Sequence, residues 1–302
     1  MKVVVVGANG FLGRHTLIRA LSYGWHVIGI VRGNEAATVV RNLGGEPRVH
    51  KKIEYNALVK DFRDASAILS LRGIAAGTSE EFEQINVRDT RIIAQAANNA
   101  SNGRFVVVSG LGCDLVGKIS WATNDYFRSK LQMEEAVKAE AKRNVIFRPS
   151  YILGPGDELI SGVVSGLTQG SIDIIGSGKI PFQPVYVGNA VEAFLRAATG
   201  TGSDNITYDL VGPETTNMES IIELIAEILR NHVPIGNVKR RYIPFAEAHL
   251  SLGIPKTLID VMQCDVLADH RVVGNALNIK FLPLRQTLDH AIAEEMNRNN
   301  LK

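Results

Sequence analysis

The sequence contains few of the residues that build disulfide frameworks and metal sites. Only two of its 302 residues are cysteines, Cys113 and Cys264. They stand far apart and form no Cys-x-x-Cys pair, which excludes a disulfide framework and a cysteine-rich zinc site and indicates a reducing compartment. The seven histidines are scattered singly. We therefore predict no metal site.

An excess of charge of either sign is also missing. Lysine and arginine number 33 against 31 aspartates and glutamates, so the formal net charge is only +2. Such a balance provides no electrostatic footprint for nucleic acid and no polybasic patch for an anionic membrane. We expect neither to be a partner of this protein.

Long hydrophobic runs are absent as well. The apolar run Val3–Val6 is far too short for a signal-peptide core or a transmembrane helix. The chain nevertheless has 45% hydrophobic residues, enough for a large buried core. We interpret it as a cytoplasmic protein without a transmembrane segment. Peripheral association with a membrane complex remains open.

The first thirty-three residues carry the most specific pattern in the sequence. The run of valines at Val3–Val6 is typical of a strand that is buried on both faces of a parallel sheet. A glycine-rich turn and a helical repeat of apolar residues follow, and Val27–Val31 predicts a second buried strand. The segment therefore predicts a β-α-β unit whose first turn is rich in glycine.

The glycines of this turn predict a dinucleotide site. Gly7 permits a tight turn, Gly10 permits close approach to a pyrophosphate, and Gly13 permits close packing of the helix on the sheet. The helix N-terminus would supply oriented N–H groups to the phosphates. The predicted cofactor-binding residues of this segment are Gly7, Asn9, Gly10, Phe11, Leu12, Gly13 and Arg14.

The end of the second strand bears on the choice of dinucleotide. An acidic residue there would bond the ribose 2′-OH of NAD, but the strand ends in Val31-Arg32-Gly33. Arg32, and Arg14 after the third glycine, would instead face a 2′-phosphate. Glu35 lies nearby and would still serve the ribose. We predict that NADP(H) is preferred over NAD(H).

Alternating strand and helix patterns continue through the first half of the chain. Further strands are predicted at 66–71, 104–109 and 144–147, which implies an α/β fold with a doubly wound parallel sheet (Rossmann). Ligands of such sheets lie beyond the carboxyl ends of the strands. Residues that follow these strands are thus candidate cofactor contacts, namely Leu71, Arg72, Ser109, Pro149 and Ile152.

The second half differs in texture, with loops rich in glycine and proline. We predict a dinucleotide-binding domain over 1–150 and a smaller C-terminal α/β lobe that binds substrate over 151–302, with a segment of about 180–212 returning to the first domain. A helix is predicted from about Gly188, and another from Asn217 with a capping box of Thr216 and Glu219. The polar tail 297–302 is predicted to fray.

A tyrosine and a lysine four residues apart form the candidate catalytic pair. Tyr126 and Lys130 share one face of a predicted helix that follows the Ser109 strand. A nearby ammonium favours the phenolate and would lower the pKa of the phenol toward neutrality. Tyrosine would then exchange a proton with a substrate hydroxyl or carbonyl while hydride moves to or from nicotinamide. The alternative is an ordinary surface helix.

Several segments, in order along the chain, resemble one known family. "VVVVGANGFLGRH", "INVRDTRIIAQAA", "RFVVVSG", "YFRSK" and "VIFRPSYILGPGD" are similar to the extended and atypical short-chain dehydrogenase/reductases, the NAD-dependent epimerase/dehydratase family. Within it, "YFRSKLQMEEAV" and "QPVYVGNAVEA" most resemble relatives of the NADPH-binding accessory subunit of respiratory NADH dehydrogenase. The resemblance implies an NAD(P)H-dependent oxidoreductase or epimerase-type enzyme, with Tyr126 as acid/base, Lys130 as ribose anchor and Ser109 as a substrate-orienting hydroxyl.

The chain departs from the family pattern after the Ser109 strand. The family's catalytic hydroxyl stands a residue or two beyond the strand, where this sequence has Gly110 and Leu111. Two functions therefore stay open. One is an enzyme acting on a nucleotide-sugar or another carbonyl or hydroxyl compound. The other is an NADPH-binding structural or regulatory protein that acts through a protein partner or as a homo-oligomer.

Overall fold

Parallel strands form the centre of the molecule. The computed structural model describes residues 1–100, 103–233 and 235–298. The strands described are β1 (Lys2–Val6), β2 (His26–Val31), β3 (Glu46–Val49), β4 (Ala67–Ser70), β5 (Arg104–Val108), β6 (Asn144–Pro149), β7 (Ile152–Leu153), β8 (Ser171–Ile175), β9 (Val185–Tyr186), β10 (Ile206–Leu210) and β11 (Lys239–Ile243). Seven of them pair in the order β10-β6-β5-β4-β1-β2-β3, all parallel. The predicted doubly wound sheet is confirmed.

Helices cover both faces of this sheet and build a second lobe. They are α1 (Phe11–Ser22), α2 (Asn34–Asn42), α3 (Tyr55–Phe62), α4 (Ser79–Phe82), α5 (Asp89–Ala100), α6 (Asp125–Glu140), α7 (Glu158–Gln169), α8 (Val187–Ala198), α9 (Met218–Arg230), α10 (Phe245–Leu252), α11 (Lys256–Val261), α12 (His270–Leu277) and α13 (Leu284–Arg298). A π-helix spans Glu83–Arg88, and short 3₁₀ turns span Cys113–Leu115 and Ser120–Thr123.

The valine run of β1 is buried on both sides, as the sequence predicts. Val3 and Val5 pack in one core with residues of α1, α8 and α12. Val4 and Val6 point to the opposite face, where α3, α5 and α6 form a second core. Side chains alternate across a strand, so a strand between two helical layers needs an apolar residue at every position.

The second lobe has a core of its own. β8 and β11 pair in parallel, and apolar side chains of α7, α9 and α13 pack with them. The segment from β9 to β10 belongs to the main sheet instead, because α8 packs on its core and β10 pairs with β6. The return of about 180–212 to the first domain was part of the same domain prediction. The division of the chain at residue 150 stays a prediction.

Local details differ from the sequence prediction. The N-cap of α9 is Asn217, whose side chain accepts a hydrogen bond from the Ser220 N–H at 3.0 Å. The predicted Thr216 capping box is therefore wrong, since Asn217 is itself a strong cap one residue later. Residues 299–302 of the polar tail lie outside the described residues.

Candidate active site

The glycine-rich turn between β1 and α1 has the geometry predicted for a pyrophosphate cradle. Gly7 adopts a φ of +85°, and its N–H donates to the Ile30 carbonyl at 3.0 Å. A Cβ at Gly13 would overlap the Gly7 carbonyl oxygen, so α1 starts in direct contact with the turn. Glycine suits the left-handed conformation at position 7 and is the residue that permits the close contact at position 13.

The N-terminus of α1 is open toward the edge of the sheet. Its N-cap is Gly10, which offers no side chain to the first N–H groups, and the first turn contains no acidic residue. Asn9 is exposed, and Phe11 and Leu12 are half-buried. Uncapped N–H groups at a helix N-terminus bind phosphate oxygens, so these residues fit the pyrophosphate of a dinucleotide.

Both candidate arginines for a 2′-phosphate are exposed. Arg14 lies in the first turn of α1 and Arg32 follows β2, the strand beside β1. Within the described part of the chain neither guanidinium has a salt-bridge partner. Glu35, also exposed, lies in the first turn of α2. The two cations are thus available to an anion at this corner.

The remaining candidate cofactor contacts follow the ends of β4 and β6. A Cβ at Gly7 would lie 3.1 Å from backbone atoms of both Leu71 and Arg72, so these residues cross directly beside the turn. The Arg72 guanidinium is held by Asp89, with nitrogen–oxygen distances of 2.9 and 2.6 Å. Pro149 and Ile152 are half-buried at the same edge.

The structure brings Tyr126 and Lys130 to this edge on one face of α6. The helix begins at an Asn124 cap, whose side chain accepts from the Phe127 N–H at 3.0 Å. A Cβ at Gly110 would overlap the Tyr126 hydroxyl, which therefore lies directly beyond the end of β5. The Lys130 Nζ lies 5.9 Å from the centroid of the tyrosine ring and donates to the Val108 carbonyl at 3.3 Å.

Burial acts on this pair in opposite directions. It raises the pKa of the Tyr126 phenol, and the neighbouring Cys113, Cys264 and Tyr151 add to that effect. It lowers the pKa of the Lys130 ammonium to about 8. The expected lowering of the tyrosine pKa by lysine is therefore wrong for the protein alone, because desolvation of the phenolate is the largest influence and acts upward.

Ser109 faces a buried polar cluster that the sequence did not predict. Its hydroxyl lies 3.6 Å from the Cys113 Sγ, and this thiol donates to the Glu134 carboxylate at 3.0 Å. Arg148 binds both oxygens of Glu134, at 2.7 and 2.8 Å. Burial raises the pKa of Cys113 to about 12, so the thiol stays protonated. Leu111, at the family's hydroxyl position, is buried.

Asn86 is a second buried polar residue that supports the site. It lies in the π-helix, is fully buried, and accepts from the Ile74 N–H at 3.0 Å. Its amide nitrogen donates to the Ser129 Oγ at 2.9 Å, and Ser129 in turn donates to the Tyr126 carbonyl at 2.8 Å. π-Helical turns often mark functional sites. Here the turn ties the loop after β4 to the start of α6.

A segment near residues 260–264 packs over Tyr126. Val261 and Cys264 pack against a small cluster that includes Tyr126, Trp121 and Phe127. The Asn124 amide reaches the Asp260 carboxylate of α11 at 3.4 Å. The sequence showed no sign of this contact, because it joins residues more than 130 positions apart. Tyr126 therefore lies between α6 and a segment that is distant in sequence.

Among the described residues, no cluster of three or more His, Cys, Asp or Glu side chains has the arrangement of a metal site. In the same part of the chain, no helix combines the length and the apolar character that crossing a membrane requires.

Comparison with known proteins places these features in a family. Mitochondrial NADH dehydrogenase (ubiquinone) 1 alpha subcomplex subunit 9 of Arabidopsis thaliana is 26% identical over 235 residues, which cover 75% of this chain and 57% of that protein. The 4-hydroxy-2-methyl-3-oxo-4-farnesyl-3,4-dihydroquinoline-1-oxide ketoreductase of Stigmatella aurantiaca is 26% identical over 286 residues, covering 86% and 82%. The chain thus spans less than two thirds of the plant subunit.

The fold and the family are shown independently. A UDP-glucuronic acid 4-epimerase from Bacillus cereus, solved with UDP-glucuronic acid and NAD, superposes with a TM-score of 0.79 over 99% of this chain and 100% of that one, at 18% identity. At that identity the likeness shows the fold alone. A sequence model of the NAD dependent epimerase/dehydratase family matches residues 3–210. The predicted resemblance is confirmed, and the chain belongs to the NAD dependent epimerase/dehydratase family.

Proposed function

We propose that this protein is an NADPH-dependent reductase that converts a ketone to a secondary alcohol. The observation that carries the proposal is the position of the Tyr126 hydroxyl over Gly110, beside Lys130 and at the same sheet edge as the Gly7 turn. An acid and a dinucleotide cradle at one edge bring a proton and a hydride to one carbonyl. When bound, NADPH supplies the hydride.

Tyr126 would donate its proton to the carbonyl oxygen of the substrate. A phenol whose pKa is raised by burial holds its proton at neutral pH, which suits an acid rather than a base. Lys130, with a pKa of about 8, is mostly charged at pH 7. Its ammonium would stabilise the phenolate that remains after proton donation. The reduction direction is therefore favoured for this pair.

NADPH is preferred to NADH in this proposal because the corner near the adenosine ribose is basic. Arg14 and Arg32 are exposed there without salt-bridge partners among the described residues. A 2′-phosphate would accept charge-assisted hydrogen bonds from them. The exposed Glu35 is the one acidic residue in the first turn of α2.

A reductase is favoured over a sugar epimerase by the comparison with the Stigmatella ketoreductase, which extends over 82% of that protein. The likeness to the Bacillus epimerase concerns the fold alone. The role of Ser109 as substrate-orienting hydroxyl remains a prediction. Its contact with Cys113 does not favour that role.

The Tyr126→Phe variant tests the proposal. Removing the acid should lower kcat by about 10²- to 10⁴-fold in a screen of ketones with NADPH, while NADPH binding, measured by its fluorescence, stays within a few-fold. Tyr55→Phe is the matched control, since Tyr55 is exposed on α3 and its hydroxyl accepts a hydrogen bond from Asn99. Undiminished turnover by Tyr126→Phe would refute the role of this residue.

A second function has one specific observation in its favour. Leu111 replaces the hydroxyl expected beyond β5, and the Ser109 hydroxyl is engaged below it. A protein that binds NADPH without turning it over, and that acts through a partner, fits that feature and the likeness to the plant complex subunit. Bound NADPH that no ketone in the screen oxidises would favour this function over the reductase.

A further inference from the structure

A small cavity lies in the second lobe, next to the residues that cover Tyr126. It measures about 30 Å³. Two isoleucines, two aromatic rings and two methionines form most of its wall: Ile175, Ile180, Phe182, Phe245, Met218 and Met262. The wall is thus built from the end of β8 and the loop after it, the starts of α9 and α10, and the residue that follows α11.

Two parts of the wall connect the cavity to the candidate catalytic tyrosine. Tyr151 lines the cavity, its ring lies 4.8 Å from that of Phe182, and it is one of the groups that raise the pKa of Tyr126. Met262 stands two residues before Cys264, which packs in the same cluster as Tyr126. Tyr151 thus neighbours both the cavity and Tyr126, so the cavity adjoins the candidate active site.

The chemistry of the lining is apolar. Within the described residues it contains no charged side chain. Glu219, beside the loop at Gly178, is bound by the Tyr242 hydroxyl at 2.5 Å, and Arg241 on the neighbouring strand is paired with Asp173. Lys179 of the same loop is exposed. A diphosphate would find no cation in this wall, whereas a hydrocarbon chain would bury apolar surface against it.

An alkyl tail is larger than this cavity, so its binding requires that side chains of the wall move. The two methionine side chains are unbranched and flexible, so they can turn aside for a longer chain. The loop of Gly176 and Gly178, with φ values of +66° and +68°, packs one wall against the Phe245 ring and Glu219. The glycines thus fix the backbone of one wall, and the flexible methionine side chains are the part of the wall that would move.

We propose that the substrate is a ketone with an aliphatic tail, bound with the tail in this cavity and the carbonyl at Tyr126. The inference rests on the proposed reductase function. In the reaction the carbonyl carbon gains the hydride of NADPH and the oxygen gains the proton of the Tyr126 phenol, which yields a secondary alcohol and NADP⁺. A nucleotide-sugar substrate, left open by the sequence, does not suit the lining.

The test is a chain-length series. We expect kcat/KM for NADPH-dependent reduction of 2-alkanones to rise at least tenfold from butan-2-one to octan-2-one, since each fully buried methylene contributes about fourfold and burial of two of the four added methylenes is enough. Phe245→Asn should reduce the value for octan-2-one about tenfold and leave that for butan-2-one within twofold. Leu250→Asn, on the same helix but 86% exposed, should change neither.

The outcomes separate the inference from the function on which it rests. Reduction that is indifferent to chain length, or turnover of UDP-glucose in preference to the alkanones, overturns the apolar tail site while the reductase function stands. If no ketone is reduced, the cavity site can still be tested by calorimetric binding of decan-2-ol to the NADP⁺-loaded protein. Binding that Phe245→Asn weakens supports the cavity site alone, and absent binding overturns it.

Discussion

The buried Lys130 holds an ammonium group in the interior of the protein, and this burial lowers its pKa. Its side chain is 6% exposed, its ammonium donates to the Val108 carbonyl at 3.3 Å, and burial lowers its pKa to about 8. The cost of holding this charge in the interior is a property of the folded protein. It is therefore open to measurement without any substrate.

Lys130→Met should change the dependence of stability on pH. The folded pKa lies below the unfolded value of 10.5, so between about pH 8 and 10.5 the unfolded chain binds more protons and this group's contribution to stability rises with pH. The methionine variant lacks that rise. Its unfolding free energy relative to the parent should fall by about 2 kcal/mol from pH 7 to pH 9.5 in urea titrations. An unchanged difference would contradict the lowered pKa.

Arg32 is the residue to which we attribute the preference for NADPH over NADH. Replacing it with alanine should raise the Kd for NADPH by about tenfold or more, because a charge-assisted hydrogen bond to the 2′-phosphate is lost. The Kd for NADH should change little. Arg41→Ala is the control, since Arg41 is exposed at the far end of α2. Equal affinity of the parent protein for the two dinucleotides would refute the preference.

At the scale of elements, the first β-α-β unit could be predicted from the sequence. The buried polar contacts that hold α6 in place could not. Strand β1, its glycine turn and α1 are encoded within some twenty consecutive residues. Asn86 and Glu134 act instead through partners that are distant in sequence, namely Ser129 and Arg148. A single sequence shows these polar residues but not the burial that makes their contacts necessary.

The contact between α1 and the turn makes a prediction at this scale. Gly13→Ala should destabilise the protein by about 1–3 kcal/mol and abolish NADPH binding, because the new methyl group would press on the backbone of Gly7 and Ala8. Gly162→Ala is the matched helix control: nothing lies within 4 Å of its Cβ position, so α7 should gain up to about 1 kcal/mol. Thermal unfolding and NADPH fluorescence report both effects.

At the scale of the whole molecule, the central sheet was predictable and the closing of the second lobe was not. Continuous apolar runs and glycine turns indicate a parallel sheet wherever they alternate with helical patterns. The cover over Tyr126 depends on Val261 and Cys264, and the edge of the main core depends on Val273 and Leu277. These contacts link segments about 60 to 140 residues apart, where a local pattern carries no information.

The central claim is that hydride and proton meet at one carbonyl beside Tyr126. The most direct test is the reduction of octan-2-one with NADPH deuterated at C4, prepared in both the 4R and the 4S form, with mass spectrometry of the alcohol. We expect that either the 4R or the 4S form, and not both, transfers one deuterium to the carbinol carbon. Tyr126→Phe should suppress the transfer. Intact NADPH and no deuterated alcohol from either form would contradict it.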